Sequence, residues 1–144
     1  NDAPSTITRL IDIGVPPFLV GSSLNLVMAQ RLVRSICPNC REEYKPNKDE
    51  LTRLGMEADN QVYYHGKGCV QCRQTGYRGR SGIFEMLEMR QAIRKLVFEN
   101  ANQEVIREKA IEQGMISLRE QGIRKLKDGI TTFEEVLRST VEDF

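Results

Sequence analysis

The stretch CPNCREEY (residues 37–44), followed by GCVQCRQTGYRGR (residues 68–80), holds every cysteine of this 144-residue chain. Cys37, Cys40, Cys69 and Cys72 form two Cys-x-x-Cys pairs separated by 28 residues, with none left over. Two such knuckles each present two sulfurs at angles that suit a tetrahedral thiolate site, the arrangement zinc prefers. Pro38 and Asn39 inside the first pair, and Gly66 and Gly68 ahead of the second, allow backbone N–H groups to turn towards sulfur. The spacer exceeds the usual ribbon length of about 15–20 residues, but it contains a helix of its own. A disulfide pair is disfavoured by an intracellular composition. A redox Cys-x-x-Cys normally comes singly at the start of a helix. His65 is a further possible ligand, read here as a surface or neighbouring residue because four cysteines already complete a site. A four-cysteine site leaves no open position, so the metal expected is structural Zn2+, holding together a glycine-rich segment with little core of its own.

Working outward, "STITRLIDIG" reads as a helix with Ser5 as N-cap and Ile7, Leu10 and Ile11 on one face, stopped by Gly14. "VPPFLVGSSLNLVMAQ" reads as a second helix entered through Pro16 and Pro17, with Leu24, Val27 and Met28 on one face, and "RLVRSI" as a strand. "NKDELTRLG" is a short helix capped by Asn47, with Glu50 completing a capping box and Gly55 ending it. "QVYYH" and "SGIFEML" read as strands, and the glycines of "TGYRGRSG" as a turn-rich loop. From Glu88 onward the pattern is helical. Met89, Ile93, Leu96 and Val97 form one stripe, Gly114 closes a second helix, and Ser117-x-x-Glu120 and Thr132-x-x-Glu135 open two more. Gly122 inside the third of these costs about 1 kcal/mol relative to Ala.

The composition excludes several classes of function. Lys and Arg (21) nearly balance Asp and Glu (20), a net charge of +1, and aromatics are 6%, so no nucleic-acid partner is expected. No apolar run approaches the ~20 residues of a membrane span, and no signal peptide opens the chain, so a soluble, intracellular protein is expected. The first residue is Asn1 rather than Met, which leaves the natural start open. Neither a G-x-x-x-x-G-K-[ST] nor a G-x-G-x-x-G sequence is present, and one histidine gives a Ser-His-Asp device little to work with. The carboxylates read as solvated helix faces, and no catalytic residue is expected. Arg31, Arg34, Arg73, Arg78 and Arg80 gather around the cysteines, either as ordinary surface or as a face for an anion or an acidic partner. Arg124, Lys125 and Lys127 make a smaller basic face.

Residues 1–40, residues 68–87 (GCVQCRQTGYRGRSGIFEML) and residues 122–140 (GIRKLKDGITTFEEVLRST) together resemble the C-terminal third of the secretion ATPases. These are the motors of type II secretion and type IV pilus assembly. The resemblance implies an α+β, mostly helical chain in three parts: the end of a RecA-like α/β ATPase domain (1–36), a tetracysteine zinc-binding subdomain (37–82) and a helical C-terminal subdomain (83–144). It implies a cytoplasmic parent that forms a homohexamer and works with inner-membrane platform proteins. ATP and Mg2+ would be bound by motifs upstream of "NDA", so this polypeptide alone would be inactive and monomeric. Cys37, Cys40, Cys69 and Cys72 match the family's tetracysteine positions. "AQRLVR" places Gln30, Arg31 and Arg34 at the nucleotide edge or a subunit interface, and Arg78 and Arg80 in "GYRGR" at an interdomain or intersubunit contact. Without the family, a free-standing zinc-ribbon module for nucleic acid or an adaptor remains the alternative. Losing the metal is expected to unfold the middle segment and spare the C-terminal helices.

Overall fold

In a computed structural model the chain is described over residues 2–140; Asn1 and residues 141–144, the outer ends of the first and third expected parts, lie outside the described residues. In chain order the elements are α1 (Ala3–Asp12), α2 (Pro17–Ser23), β1 (Leu26–Ile36), β2 (Arg41–Tyr44), α3 (Lys48–Arg53), β3 (Tyr63–Gly66), β4 (Tyr77–Glu88), α4 (Gln91–Phe98), α5 (Gln103–Glu112), α6 (Leu118–Lys127) and α7 (Phe133–Ser139). Helices mix with two small sheets, β1 with β4 and β2 with β3. Two compact units result, one of residues Asn1–Gln30 with Phe84–Leu118, the other of Arg31–Ile83 with Arg119–Phe144.

The first unit is built on amphipathic helices. Ile7 of α1, Ile93 and Val97 of α4 and Ile106 of α5 are fully buried together with Leu87 of β4. The helix stripe read at Ile7, Leu10 and Ile11 faces this core. Its cap is Asp2 rather than Ser5: the Asp2 carboxylate accepts the Ser5 N–H at 2.9 Å, and Ser5 returns the bond as the other half of a capping box. Asp outranks the interior Ser because helix start was free to move back over Ala3 and Pro4, and Pro suits the first turn.

The single long helix expected after Pro16 is instead a short helix and a strand. α2 stops at Ser23, and from Leu26 the burial alternates, with Val27 and Ala29 inside and Leu26 and Met28 outside. Gly21, Ser22, Ser23 and Asn25 are weak helix formers, so pairing with β4 decides the conformation. Gly21 itself is required by packing, since a Cβ there would lie 2.6 Å from the Phe98 ring.

β4 also overrides a turn reading: Tyr77–Gly82 is strand, not loop. Further along it, Glu85 is buried rather than solvated. Its Oε1 accepts the N–H of Ala3 at 2.9 Å and its Oε2 the N–H of Leu118 at 3.0 Å, which are the first residues of α1 and α6. Helix N-termini present N–H groups with no intrahelical partner and favour negative charge. Replacing Glu85 with Ala strands both donors and is expected to cost about 2–4 kcal/mol. A urea midpoint shift corresponding to less than about 0.5 kcal/mol, the scale of an ordinary surface change, would remove this role.

In the second unit, the capped helix read in the spacer is present as α3, with Asn47 accepting the Glu50 N–H at 2.8 Å and Gly55 in the left-handed region at φ 68°. Leu51 and Leu54 of this helix pack with Tyr63, Ile123, Leu126, Phe133 and Val136. The Tyr63 and Phe133 rings meet edge to face at 4.9 Å. Gly122 lies in α6 because a Cβ there would approach Val136 Cγ1 to 2.9 Å. The helix-propensity cost therefore supports close contact between α6 and α7. β2 has no counterpart in the sequence reading; Arg41, Glu42 and Glu43 carry no alternating apolar signal, and the strand exists through its pairing with β3.

Candidate metal centre

The β2–β3 ladder brings the two knuckles side by side. Its antiparallel register sets Arg41 opposite Gly66, so Cys40 precedes one end of the ladder and Cys69 follows the other strand at that same end. The Lys67 N–H donates to the Cys40 carbonyl at 3.2 Å, and the Cys37 N–H to the Gly76 carbonyl at 2.9 Å. Gly66 and Gly76 touch backbone to backbone, leaving no room for a Cβ at either position. Here glycine is required by close approach, and at Gly76 by its positive φ of 81° as well.

The four sulfurs all lie within 4.8 Å of one another, and the group could hold a metal ion. Cys37 and Cys69 are 3.8 Å apart, Cys40 and Cys72 3.8 Å, and Cys69 and Cys72 3.6 Å. A tetrahedron with metal–sulfur bonds of about 2.3 Å has sulfur–sulfur edges of ~3.8 Å, so the donor set fits a single ion of that size. The cysteines are free, with separations nearly twice a disulfide bond of about 2.05 Å. Cys37, Cys40 and Cys72 are buried and Cys69 half-buried.

Donors converge on the sulfurs, as anticipated from the small residues around the knuckles. Cys72 Sγ accepts the N–H of Gly76 at 3.2 Å and of Cys69 at 3.3 Å. Burial opposes its ionisation, but these N–H groups and the neighbouring thiols outweigh burial and bring the thiol down to about 6. The Asn39 side chain, helped by the Cys72 backbone, lowers Cys69. Cys40 behaves oppositely: burial pushes it up to about 11, although the Gly68 N–H pulls the other way. A divalent ion on four thiolates therefore has to displace protons, that of Cys40 among them. His65 is not a member of the cluster; its Nε2 lies 2.9 Å from Glu42 Oε1 and its ring 4.9 Å from that of Tyr44.

The arginines separate into distinct environments. Gln30 is exposed and Arg31 half-buried on β1. Arg78 is exposed and donates to Gln71 Oε1 at 3.2 Å. Arg34 is tied down by a residue the sequence reading assigned to a solvated helix face. Glu135 of α7 has a fully buried carboxylate that accepts the Arg34 backbone N–H at 2.6 Å, Arg34 Nε at 3.0 Å and Arg138 Nε at 3.0 Å, with Arg138 Nη2 at 2.9 Å. Thr132 caps α7 by accepting the Glu135 N–H, but the Glu135 side chain does not close a capping box. Arg34 also lies over the Tyr77 ring, 4.1 Å from its centroid, and the Tyr77 hydroxyl is 2.7 Å from that of Thr132. Arg34, Tyr77, Arg80 and Arg138 line one open depression. Glu135 and Arg138 were missed because an i,i+3 pair on a charged helix looks the same whether it faces solvent or a strand.

The family model described as "Type II/IV secretion system protein" matches residues 1–138. The chain belongs to this family. Among its members, the type IV pilus assembly ATPase PilB of Myxococcus xanthus is 43% identical over 99% of the chain and 26% of the relative. The type II secretion system protein E of Pseudomonas aeruginosa is 42% identical over 99% of the chain and 28% of the relative. The type II secretion system ATPase E of Vibrio cholerae is 41% identical, again over 99% and 28%. The chain thus spans about a quarter of the length of these curated relatives. Among the described residues no helix is long and apolar enough to cross a membrane.

Proposed function

We propose that this chain is the C-terminal part of a cytoplasmic hexameric ATPase that powers type II secretion or type IV pilus assembly from the inner membrane. The observation that carries this reading is a match along essentially the whole chain to relatives named for those two systems. The division at 1–36, 37–82 and 83–144 into the end of a RecA-like domain, a zinc subdomain and a helical subdomain belongs to the same reading. So do Gln30, Arg31 and Arg34 at a nucleotide edge or subunit interface, and Arg78 and Arg80 at an interdomain or intersubunit contact. ATP and Mg2+ would be held by preceding sequence, since no phosphate-binding loop lies in this chain. The chain alone would neither hydrolyse ATP nor assemble into the hexamer.

The metal in this reading is Zn2+ held by Cys37, Cys40, Cys69 and Cys72. Zinc takes four thiolates tetrahedrally without a redox role, and a closed set of four leaves no place for substrate. Its contribution is mechanical: it fixes the β2–β3 knuckle as one rigid piece.

The test is the natural gene product, by immunoblot and peptide mapping from its source cells. A product several times longer than this chain, with a phosphate-loop lysine peptide ahead of Asn1 and ATP hydrolysis lost on changing that lysine, is the expected result. A mature product starting near Asn1 and devoid of ATPase activity would end the motor reading.

A further inference from the structure

We propose that the depression bordered by Arg34, Arg80 and Arg138 is an oxyanion site that takes a phosphate group. The motor reading gives Arg34 and Arg80 only a nucleotide edge or contact surface; the phosphate site is argued from the geometry of the depression and stands or falls separately.

The depression is open, of about 730 Å³, and Leu32, Tyr77 and Gly79 complete its wall. Its charged lining is three guanidiniums, and the acid among them, Glu135, is buried behind. Three positive charges thus answer one buried negative charge. Glu134, on the same helix, acts on Arg138 and Tyr77 through space but does not line the depression.

Glu135 converts two flexible arginines into fixed donors. Arg34 and Arg138 each turn their Nε and Nη2 edge to its carboxylate, while their side chains remain 41% and 55% exposed. The Tyr77 ring holds the Arg34 guanidinium from a further side. Donors fixed in advance lose little freedom on binding, so their charge is realised as affinity. Arg80 is exposed and comes from β4, so the cations arrive from β1, β4 and α7.

The arrangement fits a phosphate better than a carboxylate. A single fork suffices for a planar carboxylate, and Glu135 already occupies the inner edges of two. Three guanidiniums on different elements match a group with three strong acceptor oxygens and up to two negative charges. The same chemistry is offered by a soluble phosphate ester and by a phospholipid headgroup.

The experiment titrates the metal-loaded 144-residue chain with inorganic phosphate at constant ionic strength, following the Tyr77 ring and arginine Nε resonances by NMR, with acetate as control. Expected is a saturating shift confined to Arg34, Tyr77, Arg80 and Arg138. Arg80→Ala should weaken it about tenfold, the scale of one charged hydrogen bond, with Tyr63 and Ile93 resonances unmoved to verify the fold. Arg80→Lys should recover part of the loss. Shifts that never saturate, an equal response to acetate, or an Arg80→Ala titration like the parent's would each overturn the proposal. Co-sedimentation with phosphatidylglycerol vesicles that disappears in Arg80→Ala identifies the headgroup as source. Saturable phosphate binding without vesicle retention identifies a soluble ester, and the phosphate chemistry holds in both cases.

Discussion

Stripping the proposed Zn2+ from Cys37, Cys40, Cys69 and Cys72 is expected to unfold the knuckle segment and to carry α6 and α7 with it, while α1, α4 and α5 stay folded. The magnitude follows from comparison. Structural zinc sites contribute apparent free energies of about 10–16 kcal/mol near neutral pH, as large as the whole stability of a typical domain, about 5–15 kcal/mol. Apolar packing offers little in its place: among the described residues the cysteines form a small cluster of their own, Cys37, Cys40 and Cys72 with Cys69 packed against them. The spread to α6 and α7 departs from the expectation that all C-terminal helices are spared. Phe133 and Val136 of α7 and Ile123 and Leu126 of α6 share their core with Leu51, Leu54 and Tyr63, which the spacer between the cysteine pairs supplies. The first unit draws its core from Ile7, Leu87, Ile93, Val97 and Ile106 and contains no cysteine. Hydrogen exchange after chelation measures this directly. The amides of β2, β3, α6 and α7 should lose protection while Ile93, Val97 and Ile106 keep it. Cys37→Ser should reproduce the pattern without chelator. Unchanged protection through β2 and β3 would show that the cysteines do not organise the segment.

Replacing Glu135 with Ala is expected to destabilise the second unit by about 2–3 kcal/mol. Breaking a buried ion pair usually costs about 3–5 kcal/mol; the lower figure applies because Arg34 and Arg138 reach solvent once released. The variant also strands the Arg34 backbone N–H, which donates to the carboxylate at 2.6 Å. The pH dependence has a definite sign. Burial by itself would raise the Glu135 carboxyl, but hydrogen bonds from Arg138 and from both the side chain and backbone of Arg34 hold it down at about 2, below its ordinary 4.5. A depressed folded-state value means the unfolded chain takes up the proton first. This contribution is therefore complete above pH 4.5 and is lost as pH falls towards 2. Urea denaturation at neutral pH and across that acid range should show the parent chain losing more stability than Glu135→Ala. Parallel curves for the two would mean that the carboxylate is not engaged in solution.

The legible parts of this molecule were those where local chemistry decides. Asn47, Glu50 and Gly55 specify the start and stop of α3 in the sequence itself, and the paired cysteines specify their own convergence. In the stripe of Met89, Ile93, Leu96 and Val97, the last three mark the core-facing side of α4 in the same way, with Met89 buried just ahead of the helix. Failures came where a distant strand chose the outcome. Residues 24–30 carry helix-compatible spacing, and the strand conformation from Leu26 onward is set by pairing with β4, some fifty residues away in sequence. Gly79 and Gly82 read as turn residues because glycine marks turns locally, yet they lie in β4. Glu85 and Glu135 look like any surface acid until helix N-termini and two arginines are brought against them. The arginines around the cysteines were visible as a group. That Arg34, Arg80 and Arg138 share one depression required the fold, because Arg138 lies more than a hundred residues from Arg34.

The most direct test of the account is the metal content of the purified, reduced chain, by native mass spectrometry with thiol counting before and after denaturation. The account predicts one zinc per chain, four thiols hidden from reagent until the metal is released, and no bound metal in Cys37→Ser. A folded chain that carries no metal after zinc is supplied, with all four thiols reactive at once or paired as disulfides, would contradict it.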